Sequence, residues 1–239
     1  MRVAIVSDIH GNLTAFEAVL ADIRGASPDL ILQGGDLADA GSSPVEIVDR
    51  VRELGWPGVM GNTDEMLVRP DSLEDFARQS SSPPTLWDAI RRIASATRSA
   101  LGPERLAWLG GLPLVHTEEC FALTHATPQS CWRAPSEHAS DAELELAYES
   151  LPRPVVIFGH THRPGIRNLP GRLLINAGSV GLPFDGDPRA SWLLLDGEIA
   201  TLRRVEYDLQ RELWLLAASG LPGAEWTARI LRTSSPQMP

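Results

Sequence analysis

Apolar residues along the chain fall into two rhythms. "RVAIVS" (2–7) and "DLILQ" (29–33) are short β-branched or leucine-rich runs, the mark of buried strands. Between them, "AFEAVLADIRG" places Phe16, Val19, Leu20 and Ile23 at helical spacing, with Asn12 or Thr14 as cap and Gly25 as stop. "SPVEIVDRVRELG" (43–55) opens on Ser-Pro and closes on Gly, so it predicts a second helix. "GVM" (58–60) predicts a third strand. Strand, helix, strand, helix, strand implies a parallel sheet with crossover helices.

The rhythm changes after Met66. Helical patterns continue to about Leu112, broken by "RQSSSPPTLW" (78–87), where Pro83 and Pro84 separate two helices of an insertion. "LVHTEECFALTHATP" then predicts two strands with a turn near Glu118 and Glu119. "SDAELELAYESL" (140–151) predicts a capped helix. Four strands follow in "VVIFG", "RLLINAG", "SWLLLDG" and "IATLRRVEY". "DLQRELWLLAAS" and "AEWTARILRTS" predict two terminal helices. No internal repeat is evident. An α/β front half and a β-rich back half imply two sheets packed face to face with helices outside.

Composition narrows the function classes. A chain of 239 residues can bury a sizeable core as one domain. A net charge of −10 argues against nonspecific grip on nucleic acid or anionic membrane, since both need a basic surface. A small anionic substrate needs only local positive charge, which a metal could supply. Two cysteines, Cys120 and Cys131, make no disulfide framework and predict reduced, packed thiols. The amino-terminal apolar run is too short for a signal segment, and no stretch reaches the roughly 18 apolar residues of a membrane span. A cytoplasmic protein is expected.

Ligands collect beyond the carboxyl ends of strands in open parallel sheets. At those ends stand Asp8 and His10 in "SDIHGN", Asp36 in "GGDL", Asn62 in "GNTD", His125 in "LTHATP", and His160 and His162 in "GHTH". Four of the seven, His10, Asp36, Asn62 and His160, sit beside a glycine, which lets the backbone bend sharply and leaves room for an ion. In an extended chain residues i and i+2 point the same way, so both histidines of "GHTH" are expected to face one site.

The ordered set D-x-H, G-D, G-N-x-D, H and G-H-x-H resembles the calcineurin-like metallophosphoesterase superfamily, and within it the small prokaryotic phosphodiesterases. The stretch "NAGSVGLPFDGDPRASWLLLD" (176–196) is similar to that subgroup too. The resemblance runs from Met1 to about Asp208. It implies a four-layer α/β/β/α sandwich of two packed mixed sheets, read here as a single domain over 1–239. The helical insertion covers about 66–110 and the C-terminal helices about 208–232. It also implies a dinuclear centre. Asp8, His10, Asp36 and His162 would hold one metal, and Asp36, Asn62, His125 and His160 the other, with Asp36 bridging.

Two divalent ions about 4 Å apart can bind phosphate oxygens and a hydroxide nucleophile, and they offset charge growing on phosphorus. A nitrogen and oxygen donor set without thiolate suits a transition metal, manganese first, with iron, zinc or nickel as alternatives, over calcium. Two positions depart from the family pattern. Many members read G-N-H-[DE], with the histidine protonating the leaving group; here Thr63 stands instead, so no protein side chain is assigned as general acid. Asp64, His138 or a substrate-bound water could substitute. His125 is followed by Ala126 where the family has glycine. Arg133, Arg163 and Arg189, with Asn62, are candidate phosphate contacts. His116 and His138 match no motif, and Trp87 and Trp108 are expected to pack the insertion.

The expected activity is metal-dependent phosphoester hydrolysis of a small substrate, as a phosphodiesterase. A phosphatase acting on proteins or dinucleoside polyphosphates is the enzymatic alternative. A non-catalytic metal-binding scaffold, like the retromer subunit on this fold, is the other. A drifting scaffold loses ligands, whereas all seven are present here. Substrate choice is expected to lie in the insertion and in loop 127–139.

Overall fold

The computed structural model describes residues 1–239. Nine strands form two sheets. β1 (Arg2–Val6), β2 (Leu30–Gln33), β8 (Ala190–Asp196) and β9 (Ile199–Val205) make a four-stranded sheet in the order β2-β1-β8-β9. β3 (Val115–Thr117), β4 (Phe121–Thr124), β5 (Val155–Phe158), β6 (Gly165–Leu169) and β7 (Arg172–Asn176) make a five-stranded sheet in the order β3-β4-β5-β7-β6. β1 and β2 run parallel, as do β4, β5 and β7, and the remaining pairs are antiparallel.

Side-chain alternation explains why these strands read as continuously apolar. Val3 and Ile5 of β1 face inward and meet Leu123, Ile157 and Ile175 of the other sheet, with Leu193 and Leu195 of β8. Ala4 and Val6 face outward, against helices α1 (Leu13–Ala26), α2 (Pro44–Leu54), α3 (Asn62–Val68) and α5 (Pro84–Gly110). A strand buried on both faces has no polar positions to reveal its period. Full burial of each large apolar side chain contributes about 1.5–3 kcal/mol. On the far face of the second sheet, Ala122, Val156 and Leu174 pack beneath Tyr148 and Leu151, next to α6 (Asp141–Ala147). The layers are therefore helices, sheet, sheet and helix, a four-layer α/β/β/α sandwich.

Several elements depart from the sequence expectation. The predicted strand at 58–60 is one parallel bridge between Gln33 and Gly58. Met60 spends its N–H on Pro113, at 2.8 Å, so the ladder stops there. β6 was not expected. It is a sheet-edge strand with mostly exposed side chains and no apolar alternation to signal it. α1 continues through Gly25 and ends at Ser27, while Asn12 caps its start by accepting from Ala15 N. In the insertion, α4 (Pro70–Gln79) and α5 flank the Ser/Pro break. α5 is itself broken at Gly102, whose φ of 67° lies outside the helical region, just before Pro103. Trp87 is buried and Trp108 half-buried on the cluster that joins α5 to the first sheet.

The two terminal helices, α7 (Leu209–Ser219) and α8 (Ala224–Thr233), close on Leu182 through Leu213, Leu216, Ile230 and Leu231. Thr227 of α8 donates to the Ala40 carbonyl at 2.9 Å, which fixes this helix beside the loops above the sheets. Cys131 is buried, its S–H directed at Glu65, whereas Cys120 is exposed, against the expectation that both thiols pack. No helix is long and apolar enough to cross a membrane.

Candidate metal centre

The loops after β1, β2, β4 and β5 leave the sheets on the same side, because these strands run parallel within their own sheets and the sheets stack face to face. Asn62 reaches the same place from the first residue of α3. Local backbone geometry aims the side chains. Eight non-glycine residues have positive φ, and five of them are Asp8 (56°), His10 (48°), Asp36 (55°), His160 (65°) and His162 (57°). The left-handed region costs an L-residue roughly 1 kcal/mol or more, so strain is concentrated where the candidate ligands stand. This replaces the expectation for "GHTH": left-handed turns, not the alternation of an extended strand, bring both rings inward. Gly61 and Gly159 lie where a Cβ would overlap the carboxylates of Asp36 and Asp8, so only glycine permits that approach.

Seven side chains meet here. Asp8, His10, Asp36 and His162 place one ligand atom each within 4.8 Å of one another. Asn62 Oδ1 lies 3.1 Å from His125 Nε2 and 2.8 Å from His160 Nδ1. Asp36 joins the two groups: its Oδ2 is 3.5 Å from His10 Nε2 and 3.5 Å from His125 Nε2. Its other oxygen, Oδ1, accepts from Thr63 N at 2.9 Å, which leaves Oδ2 facing the centre.

The chemistry of the donor set tests whether a cation fits. His10 Nδ1 lies 3.0 Å from the Asp39 carbonyl, His162 Nδ1 2.6 Å from that of Leu182, and His125 Nδ1 2.8 Å from that of Gly34. A carbonyl only accepts, so each Nδ1 carries a proton and Nε2 is the nitrogen that each ring turns inward. His10 Nε2 and His162 Nε2 then face each other at 3.1 Å, with Asp8 Oδ1 3.1 Å from the latter. Lone pairs of nitrogens and carboxylates converging in a buried space repel unless a positive charge lies among them. Backbone carbonyls fixing imidazole tautomers are the usual support of a metal ligand.

Protonation equilibria point the same way. Burial alone would raise the Asp36 carboxyl, yet His125 and His10 hold it well below the ordinary carboxylate range. Burial alone would lower His125, but the Asp36 carboxylate raises it to about 10. His10 is lowered by burial and by His162. His160 is lowered to about 4 by burial and by His125. The centre attracts positive charge without room for several protonated rings.

Two buried carboxylates beside the candidate ligands were not anticipated there. Asp64 is fully buried and accepts from Asp36 N at 2.8 Å, Leu37 N at 3.0 Å and Gly61 N at 3.0 Å. Considered above as an acid, it instead holds the Asp36 loop with three amides; burial and Asp36 push its carboxyl up to about 6. Asp39 is buried, and burial pushes its carboxyl up to about 7. The spacing of Asp36 and Asp39 in "DLAD" was the available signal. Phe184 stacks on the His162 ring, with centroids 4.3 Å apart.

The other candidates lie apart. Arg163 pairs with Glu137 at 2.7 Å, and Arg189 pairs with Asp187 at 2.7 Å. Arg133 donates to Gln79 at 2.6 Å and lies over the Phe76 ring. None of the three lines the cavity that opens onto His10, Asn62, His160 and His162. His138 is exposed beside Glu137, His116 pairs with Glu118, and the Ala126 carbonyl accepts from Tyr148.

Comparison with known proteins agrees with this geometry. Residues 1–198 match the calcineurin-like phosphoesterase superfamily domain. The protein MJ0912 of Methanocaldococcus jannaschii is 30% identical over 252 residues, covering 96% of both chains. A symmetrical bis(5'-nucleosyl)-tetraphosphatase of Aromatoleum aromaticum is 30% identical over 149 residues, 61% of this chain and 51% of that relative, so the match spans about half the relative's length. A metallophosphoesterase from Sphaerobacter thermophilus superposes with a TM-score of 0.79 at 28% identity, covering 98% of this chain and all of that one. With its two stacked sheets and its Asp/His cluster at their carboxyl ends, this chain belongs to the calcineurin-like metallophosphoesterases.

Proposed function

We propose that this protein is a phosphodiesterase that works through two divalent transition metals. Asp8, His10, Asp36 and His162 would hold one, and Asp36, Asn62, His125 and His160 the other. The supporting observation is Asp36 Oδ2, which stands 3.5 Å from an imidazole nitrogen of each group while its partner oxygen is tied to Thr63 N. A carboxylate can be shared in that way, whereas a neutral imidazole has one ligating nitrogen to offer. The nitrogen and oxygen donors suit manganese first, then iron, zinc or nickel. Once bound, such ions lower the pKa of water and offset negative charge on the phosphoryl group.

The chain's own residues prepare the rest. Thr63 N and the Asp64 carboxylate orient the Asp36 loop, and His160 N donates to Asp8 at 3.1 Å. The carbonyls of Gly34, Asp39 and Leu182 fix the imidazole tautomers. We read the whole chain as one domain, because α8 reaches the candidate site through Thr227. Thr63 in place of an imidazole leaves substrates with good leaving groups favoured. Hydrolysis of dinucleoside tetraphosphates is the second reading, suggested by the name of the Aromatoleum relative.

The test is hydrolysis of bis(p-nitrophenyl) phosphate with added Mn²⁺, in wild type beside Asp36→Asn. Mn²⁺-dependent turnover that falls by roughly 10²-fold or more in the variant is expected, since a ligand of both ions is weakened. No turnover by wild type with Mn²⁺ demonstrably bound overturns the proposal in favour of a metal-binding scaffold.

A further inference from the structure

The cavity above the candidate metal centre has a wall composition that the metal chemistry does not explain. It encloses about 320 Å³ and is bounded on one side by His10, Asn62, His160 and His162. The rest of the lining includes Phe76, Trp87, Ile90, Trp132, Phe184 and Trp226, contributed by α4, α5, the loop after β4, the loop before β8 and α8. Phe76 organises two of the tryptophans. It meets Trp87 edge-on at 5.9 Å and lies tilted against Trp132 at 4.9 Å. Trp226 is held by its indole N–H to the Gln237 carbonyl at 2.8 Å.

Charge is distributed just as unevenly. The sequence contains no lysine, so arginine is its only strong side-chain cation. No arginine lines this cavity, while Asp36 and Asp39 do. The adjacent groove holds Arg69, paired with Glu65, and Arg133, hydrogen-bonded to Gln79, with Asp71 and Asp75 also in its lining. Within the cavity a polyphosphate chain extending from the metals would meet aromatic rings and carboxylates and no side-chain cation. Desolvating such charges unpaired is costly. An aromatic or similarly apolar group gains from the same walls. The cavity volume stands at the low end of the roughly 300–1,000 Å³ of ligand pockets, room for one modest organic group.

We infer that the cleft receives an uncharged, aromatic-sized ester group of a single-phosphate diester, and that it selects against substrates with further phosphates. This rests on the phosphodiesterase proposal for where the phosphate sits. The selecting residues are Phe76, Trp87, Ile90, Trp132, Phe184 and Trp226, none of which is a candidate ligand.

Two diesters with the same leaving group isolate the effect: phenyl p-nitrophenyl phosphate and methyl p-nitrophenyl phosphate. Both carry one negative charge. With Mn²⁺-loaded protein, kcat/KM is expected to favour the phenyl diester roughly tenfold to hundredfold, the effect of burying one ring. Phe76→Ala brings the ratio towards one, and Ile90→Ser, a milder change at a half-buried helix position, reduces it too. Diadenosine tetraphosphate is expected to be a poorer substrate than the phenyl diester. Binding of phenylphosphonate and methylphosphonate, followed by calorimetry and tryptophan fluorescence, reads the cleft without turnover. Phenylphosphonate should bind at least roughly tenfold more tightly and quench the emission.

Equal rates for the two diesters, or better turnover of diadenosine tetraphosphate, overturn the inference and leave the hydrolase proposal standing. Absence of turnover with phenylphosphonate still preferred overturns the hydrolase proposal and retains the cleft. Neither turnover nor binding preference removes both.

Discussion

Thr63 places a hydroxyl at the edge of the candidate centre, where the family pattern has an imidazole. Its backbone N–H is committed to Asp36, its hydroxyl has no partner, and it lines the cavity. Thr63→His would return a group able to donate a proton near neutral pH, a function worth roughly 10²–10⁴-fold where the leaving group is poor. We expect kcat/KM for diphenyl phosphate to rise about tenfold or more, with little change for bis(p-nitrophenyl) phosphate, whose leaving group needs no acid. Equal changes for both would falsify the account of Thr63. At this scale the sequence was most informative: ligand-type residues at strand ends, four of them beside glycines, named all seven side chains that converge. It did not carry the reason they point inward, because left-handed φ at His10, His160 and His162 is a property of loops held by tertiary contacts. The arginine candidates failed for a related reason. Arg163 and Arg189 each have a nearby carboxylate, Glu137 and Asp187, that no motif could reveal as the partner.

The element that ties the centre together is the start of α3. Asp64 caps that helix through Gly61 N and reaches across to the amides of Asp36 and Leu37. One buried carboxylate thus fixes two ligand loops that are distant in sequence. Asp64→Ala leaves three buried amides without an acceptor, each at a cost of about 1–3 kcal/mol. The variant should lose roughly 3 kcal/mol or more of stability in urea unfolding, and Asp64→Asn less, since an amide oxygen can still accept. Mn²⁺ affinity measured by calorimetry should fall about 10–100-fold in Asp64→Asn, the usual effect of disturbing a ligand's support. Unchanged affinity in a folded Asp64→Asn protein would reduce Asp64 to a helix cap. Elements with strong periodicity were legible, as with α1, α2 and the paired terminal helices. β6 was not, because an edge strand with exposed Arg167 and Asn168 has no apolar face to advertise. The chain at 58–60 looked like a strand for the opposite reason: Val59 is buried in the intersheet core although its ladder is a single bridge.

At the scale of the molecule, the candidate centre lies where four loops and the first turn of α3 converge, so cation binding and folding are linked. Ligand atoms that repel one another are a cost to the folded chain alone and a gain to the folded chain with ions, while the unfolded chain holds them apart. A ligand that binds only the folded state at 100 times its Kd adds about 2.7 kcal/mol. For a chain of this length that corresponds to about 5–10 °C in Tm for one site. Two sites should give nearly twice the shift and two manganese ions per chain by elemental analysis. EDTA should reverse it. His10→Ala touches one group of ligands and should keep about half of the increment, whereas Asp36→Asn touches both and should keep little. A Tm rise limited to one site's worth, with one ion per chain and equal losses in His10→Ala and Asp36→Asn, would mean a mononuclear centre. Asp36 would then serve one ion, and the 3.5 Å approach to His125 would be an ion pair with a protonated ring rather than the second half of a metal pair.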